Sequence, residues 1–272
     1  MIRKIVKAGN SSHTVSLPKS WIEKNHLEKG DHVIIQEADG ILSIAPYEKK
    51  AAEEKEFMID SSKPLVDIRR MITSAYMNNY SRILLQGSTT SEQRKLFSNF
   101  PALEIVEETD KHVLARDMLD AETVDVKVTL KRMDMMVRTM FASIKEGEQA
   151  KMEEQDGELN KLYFLLNKVL RRIVAGGVSS SLKAEEVFSV WLVLQSLEGI
   201  ADGLKSKVKD LDGLEKLYRD AITAYHTNDT SLAHTVIERA KAQNAQSGDR
   251  FVQESITAIA RTVINEATDE QH

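Results

Sequence analysis

Proline constrains this chain more than any other residue. All four prolines, Pro18, Pro46, Pro64 and Pro101, precede residue 102, and the remainder has none. A proline inside a helix removes a hydrogen bond and clashes with the preceding turn, so only the proline-free part can be helical over long stretches. Apolar residues there recur every three or four positions. Val124, Val128, Met133 or Met136, Met140 and Ile144 make one stripe, and Leu159, Leu162, Leu166, Val169 and Ile173 the next. Val187, Val190, Leu194, Leu197, Ala201, Leu204 and Val208 make a third. Three long antiparallel helices are predicted, broken at Gly147 and at Gly176-Gly177, with Met133, Met135, Met136 and Met140 as adaptable core.

A weak internal repeat follows. QSLEGIADGLKS at 195–206 and ESITAIARTVIN at 254–265 share an apolar frame, Ser196, Leu197 and Ile200 matching Ser255, Ile256 and Ile259. Residues 214–240 restart with short helices about a turn at Asn228-Asp229-Thr230. The chain thus predicts a second bundle, either shorter than the first or completed by another subunit.

Between the prolines the pattern changes. A charged linker at 47–56 precedes strands at 57–60, 83–86, 103–108 and 112–117 and helices at 65–78 and 91–100, in the order β-α-β-α-β-β. Gly87 is the only glycine between Gly40 and Gly147, which excludes a Gly-rich phosphate cradle. Arg69-Arg70 reads as a solvated helix face, and this small α/β unit is assigned a packing or spacing role.

At the N-terminus, residues 2–8 and 12–17 alternate as strands about a Gly9-Asn10-Ser11 turn. Pro18 opens a helix predicted to bury Trp21, Ile22 and Leu27 before Gly30-Asp31 ends it. Two further strands join through Ala38-Asp39-Gly40. Such a unit is too small to bury a core alone, so it should dimerise. It is also basic. Residues 1–24 carry Arg3, Lys4, Lys7, Lys19 and Lys24 against Glu23 alone, a balance of +4, which leaves −9 on the rest of a chain whose total is −5. That asymmetry points the N-terminus at a polyanion.

Zero cysteine excludes disulfides, thiolate nucleophiles and sulfur-built zinc sites. The apolar runs, such as 187–194, fall short of a bilayer crossing and the first residues lack a signal-peptide core, so a cytoplasmic protein without membrane insertion is expected.

The run G-N-S-S-x-T-V-S-L-P-K-x-W-I-x-x-x-x-L-x-x-G-D-x-V-I-I resembles the AbrB/SpoVT-type swapped-hairpin DNA-binding domain, in the LPKxW variant common among archaeal regulators. The resemblance covers residues 1–47 and implies two chains interlaced into one barrel that lays a basic surface on DNA. It implies contacts from Arg3, Lys4 and Lys7 on the first strand, Ser11, Ser12 and His13 in the loop, and Lys19 at the helix start. Lysines and hydroxyls suit phosphate oxygens, and Arg3 alone has the fork that discriminates guanine. The same fold also serves antitoxins and pure dimerisation modules.

Residues 120–272 resemble the PhoU family of phosphate-signalling proteins, whose fold is two related three-helix bundles. DGELNKLYFLLNKVL at 156–170 and LEGIADGLK at 197–205 carry that likeness. An AbrB-type domain, a small α/β unit and a PhoU-like domain together are the architecture of the archaeal phosphate uptake regulators. The resemblance implies metal held by carboxylates four apart on neighbouring helices. Here Asn160 stands for one of them, and Thr257 and Arg261 occupy the second-repeat positions of Glu198 and Asp202. At most one weak divalent site is left, from Asp156, Asn160, Glu198 and Asp202, and no cofactor is expected to be required.

The sequence therefore implies a multidomain α+β protein: residues 1–47 a dimeric swapped-hairpin barrel, 48–120 linker and small α/β unit, 121–272 a PhoU-like all-α bundle with a degenerate second repeat. The expected function is non-enzymatic, a homodimeric DNA-binding regulator of phosphate uptake or response. The alternative is an adaptor that regulates a phosphate transporter by contact, its N-terminal domain only dimerising.

Overall fold

The computed structural model describes residues 2–9, 12–38, 40–46, 55–176, 178, 182–206, 208–242 and 247–269. The chain is mixed α+β, with small strands at the N-terminus and a helical C-terminal region. It divides into two compact units, residues 1–53 and 54–272.

The first unit holds β1 (Val6–Ala8) against β2 (Ser12–Thr14), then α1 (Lys19–Lys24), then β3 (Val33–Ala38) against β4 (Ile41–Pro46). Ala38 pairs with Ile41 and Gly40 has φ +74°, as a two-residue hairpin requires; Asp39, Asn10 and Ser11 lie outside the described residues. Both strands of the first hairpin are shorter than their alternation predicted. The two hairpins make separate two-stranded sheets, and no closed barrel forms within one chain among the described residues. The helix ends at Lys24, before Gly30, and buries nothing: Trp21, Ile22 and Leu27 stay half-exposed. Six helical residues against two hairpins leave too little surface within one chain to cover them.

The second unit opens with β5 (Glu56–Asp60), α2 (Leu65–Met77), β6 (Arg82–Gln86), α3 (Ser91–Lys95), β7 (Leu103–Glu108) and β8 (His112–Asp117). The sheet order is β5-β6-β8-β7, with β5 and β6 parallel and the other neighbours antiparallel. Its core face takes Ile59, Ile83, Leu85, Val113 and Ala115, covered by Ile68, Ile72, Ala75 and Tyr76 of α2 at helical spacing. Thr90 and Gln93 form a capping box at the start of α3, but the helix stops at Lys95, before the predicted 100, and a single 3₁₀ turn spans Phe97–Asn99. Pro101 holds Phe100 extended, and the turn brings Leu96, Phe97 and Phe100 inward. Gly87 serves a turn rather than a ligand. With φ +109°, it donates to the Lys111 carbonyl at 2.6 Å, and a Cβ there would meet Ser61 Oγ at 2.2 Å.

Six helices follow: α4 (Val126–Glu146), α5 (Gln149–Val174), α6 (Ala184–Leu204), α7 (Leu211–Thr227), α8 (Thr230–Ala242) and α9 (Ser247–Asp269). Gly147 turns the chain at φ +73°, and Gly176 at φ +70°; Gly177 lies outside the described residues. Asn228 ends α7 in the left-handed region and the Asp229 carboxylate accepts from Leu232 N–H at 2.9 Å, starting α8. The stripes hold except at Val128, which is exposed, as is Met135 of the expected methionine core, because α4 turns Val126, Leu130, Val137 and Phe141 inward instead.

Helices α7 to α9 are together shorter than α4 to α6. One continuous core runs through all six helices. The repeat is visible in burial: Leu197, Ile200, Ala201 and Leu204 are buried, and so are Ile256, Ile259, Ala260 and Val263 at the same spacing. Helices α6 and α9 pack closely where α6 has Gly199 and Gly203. By length and composition Glu185–Leu204 could cross a bilayer, but 67% of it is buried inside the bundle.

Helix α5 ties bundle to sheet. Phe164 packs on Phe100 with ring centroids 5.0 Å apart, and the fully buried Lys168 ammonium lies 2.5 Å from the Asp117 carboxylate and 3.9 Å over the Tyr76 ring.

Candidate nucleic-acid interface and carboxylate cluster

Three basic residues of the first unit lie on and before its first hairpin, and others follow on and after α1. Arg3 and Lys4 are exposed in the segment leading into β1, and Lys7 is exposed within it. Lys7 and His13 are register partners across the pair, so they project from one face. The Ser12 hydroxyl donates to the Ala8 carbonyl, and Thr14 Oγ1 donates to the Val6 carbonyl at 3.3 Å, pinning β2 to β1. Lys19 is 89% exposed at the start of α1, in loose contact with Glu23 at 3.5 Å. Ser11 lies outside the described residues.

Around these cations the unit exposes Ile2, Ile5, Val6, Ile35 and Leu42, each by more than half. No residue up to Pro46 whose side chain is described is buried. Exposed ammonium and guanidinium groups on short strands suit contact with phosphate oxygens.

The four residues of the carboxylate cluster do come together, Asp156 and Asn160 from α5, Glu198 and Asp202 from α6. Lys205, at the end of α6, joins them. Its ammonium lies 2.5 Å from Asp202 Oδ1 and 3.1 Å from Asp156 Oδ2, while the Asn160 amide donates to Asp156 Oδ2 at 3.3 Å. Burial pulls the Lys205 pKa down, but its bonds to Asp202 and Asp156 outweigh that and hold it above the ordinary range. Burial, then the neighbouring Asp202 charge, raises Glu198 to about 7. Asp156 Oδ1 is buried without a hydrogen-bond partner. This set does not fit a divalent cation: an amide replaces one anionic donor, and an ammonium already neutralises two of the carboxylates. Among the described residues no group of three or more His, Asp or Glu is arranged to hold a metal ion.

A second polar centre escaped the sequence reading. Buried Asp134 on α4 accepts from Arg138 Nε at 2.8 Å and from the Tyr218 hydroxyl of α7 at 2.6 Å, with His226 Nε2 at 3.9 Å. Burial, with the Asp134 charge next, holds Tyr218 well above its usual range, and burial lowers His226. The i, i+4 spacing of Asp134 and Arg138 is legible in sequence; Tyr218, 84 positions away from Asp134, is not.

Residues 6–51 match the sequence model of a family described as antidote-toxin recognition MazE, bacterial antitoxin. Neither the curated proteins nor the solved structures contain a match to the chain.

Proposed function

We propose that this chain is a homodimeric DNA-binding regulator of phosphate uptake or response, in which two copies of the first unit complete each other's fold and present Arg3, Lys4, Lys7, Ser12, His13 and Lys19 to the phosphate backbone. One observation carries the reading. The first unit buries none of the side chains described in it, while exposing an apolar surface beside a cluster of cations. Such a surface is stable in water only against a partner, and a second copy offers the complementary face. The family match over residues 6–51 supports the same type of unit.

The phosphate assignment rests on the resemblance of residues 120–272 to the PhoU family, and the two sets of three helices with repeated burial agree with it. In this reading the helical body senses its signal without catalysis and without a required metal, because Lys205 supplies the charge opposite Asp156 and Asp202. The family description favours a second reading, an antitoxin-type regulator whose helical body, or a segment near it, holds a protein partner. The adaptor that docks a phosphate transporter differs again, in needing no DNA. Genome-wide occupancy in phosphate-rich and phosphate-starved cells tests the proposal. Binding upstream of phosphate-transport genes that changes with phosphate supports it, occupancy indifferent to phosphate favours the antitoxin-type reading, and no occupancy leaves the adaptor.

A further inference from the structure

Helix α6 carries large apolar residues beyond the sides that the fold covers, alongside exposed Glu185, Gln195 and Asp202. Helices α4, α5 and α9 pack against it, and the remaining side presents Phe188 at 64% and Leu192 at 37% exposure, one turn apart. Beside them Trp191 is half-buried under the Arg171 guanidinium, 5.7 Å from its ring.

The internal repeat provides a control. In the register that matches Leu197 with Ile256, α9 reproduces the burial of α6 but not its outer chemistry. Arg250 and Glu254 stand where α6 has Trp191 and Gln195, and Arg250 pairs with Glu254 at 2.9 Å. Leu192 and its counterpart Phe251 are the one apolar position common to both outer faces. The fold is therefore satisfied by a charged residue at the Trp191 position, and the aromatic ring there on α6 is surplus to it.

We infer that this face of α6 binds the same face of a second copy of the chain. The inference rests on the first unit being dimeric. Residues 47–55 alone separate that unit from β5, a reach of about 30 Å even fully extended. Two bodies tethered so closely meet at an effective concentration on the order of millimolar. The apolar surface of the first unit is consumed by its own pairing, so the α6 face of one body finds the other body first. Phe188, Trp191 and Arg171 are the residue types that anchor such contacts, and a twofold axis sets each against its own copy.

The chain has no cysteine, so single introduced cysteines report proximity cleanly. In the full-length protein, F188C or L192C should form a covalent dimer under mild oxidation about tenfold faster than M118C, whose site is at least nearly as open as either, as tethering raises local concentration. Adding F188E to L192C should abolish that advantage while sedimentation still shows a dimer. A protein that sediments as a dimer but cross-links no faster at 188 or 192 than at 118 overturns the inference and leaves the dimeric first unit standing. A monomeric wild type overturns both.

Discussion

The contact between α6 and α9 makes two glycines respond in opposite directions to the same substitution. Gly157 lies exposed in the middle of α5, and a Cβ there meets nothing within 4 Å. Gly157→Ala should therefore stabilise the helix by about 1 kcal/mol through backbone entropy alone. Gly203 is the penultimate residue of α6, where a Cβ would come 2.5 Å from Val252 Cγ2 and 3.1 Å from Phe251 Cδ1. Phe251 can swing outward, but Val252 is fully buried and its β-branched side chain has one comfortable rotamer in a helix. Helix α9 must then shift, at an overpacking cost of ~1–3 kcal/mol, against a smaller propensity gain near the helix end. The expected net loss is about 1–2 kcal/mol, so the two alanines should differ by roughly 2–3 kcal/mol. Urea unfolding reads this as a raised midpoint for G157A and a lowered one for G203A, with an unchanged slope. If G203A raised the midpoint as much as G157A, α9 would not be seated on α6 as described.

Lys168→Ala should cost ~3–5 kcal/mol in the same assay, because it strands the Asp117 carboxylate in the interior, whereas Lys161→Ala at the surface pair with Glu158 should cost less than ~1 kcal/mol. Equal losses would remove the buried pair from the account. Glu198 binds its proton to about pH 7 in the native state and to its ordinary 4.5 when unfolded, so the native state holds more protons between those values. Its stabilising contribution is complete below 4.5 and fades as pH rises to about 7. The urea midpoint of wild type should thus decline across that window more than that of E198Q, and parallel curves would contradict the shift. Chelation should leave the melting temperature unchanged, since the Lys205 ammonium lies against both Asp156 and Asp202; a fall on chelator treatment would point to bound metal.

Periodicity and proline placement made most elements legible. The four strands of the sheet lie within a residue of their predicted spans, since each alternates or runs apolar between polar turns. The weak repeat was legible too, because matching apolar frames at 195–206 and 254–265 reflect matching burial. Sequence failed where the deciding contact is distant. The stripe through Val128 was off by a fraction of a turn, which spacing alone cannot resolve when Val126 and Leu130, two positions to either side, are apolar too. Burial of Trp21 was expected, but it stays half-exposed in the single chain, whose short elements offer too little surface to cover it. The four residues of the carboxylate cluster came from the resemblance to the PhoU family, and that pattern says nothing of Lys205, which holds two of them together.

The central claim is that the first unit binds nucleic acid as a basic, paired surface, and titration of full-length protein onto duplex DNA at several salt concentrations tests it most directly. Each phosphate neutralised adds about −0.9 to the slope of log affinity against log salt, so a paired surface with several cations per copy should give a steep slope. The triple change R3A, K4A, K7A should weaken binding on every sequence and flatten that slope by several units, with the dimer intact. Affinity and slope unchanged by the triple variant, or no DNA binding by a wild type that sediments as a dimer, would contradict the account and leave the first unit as a dimerisation module.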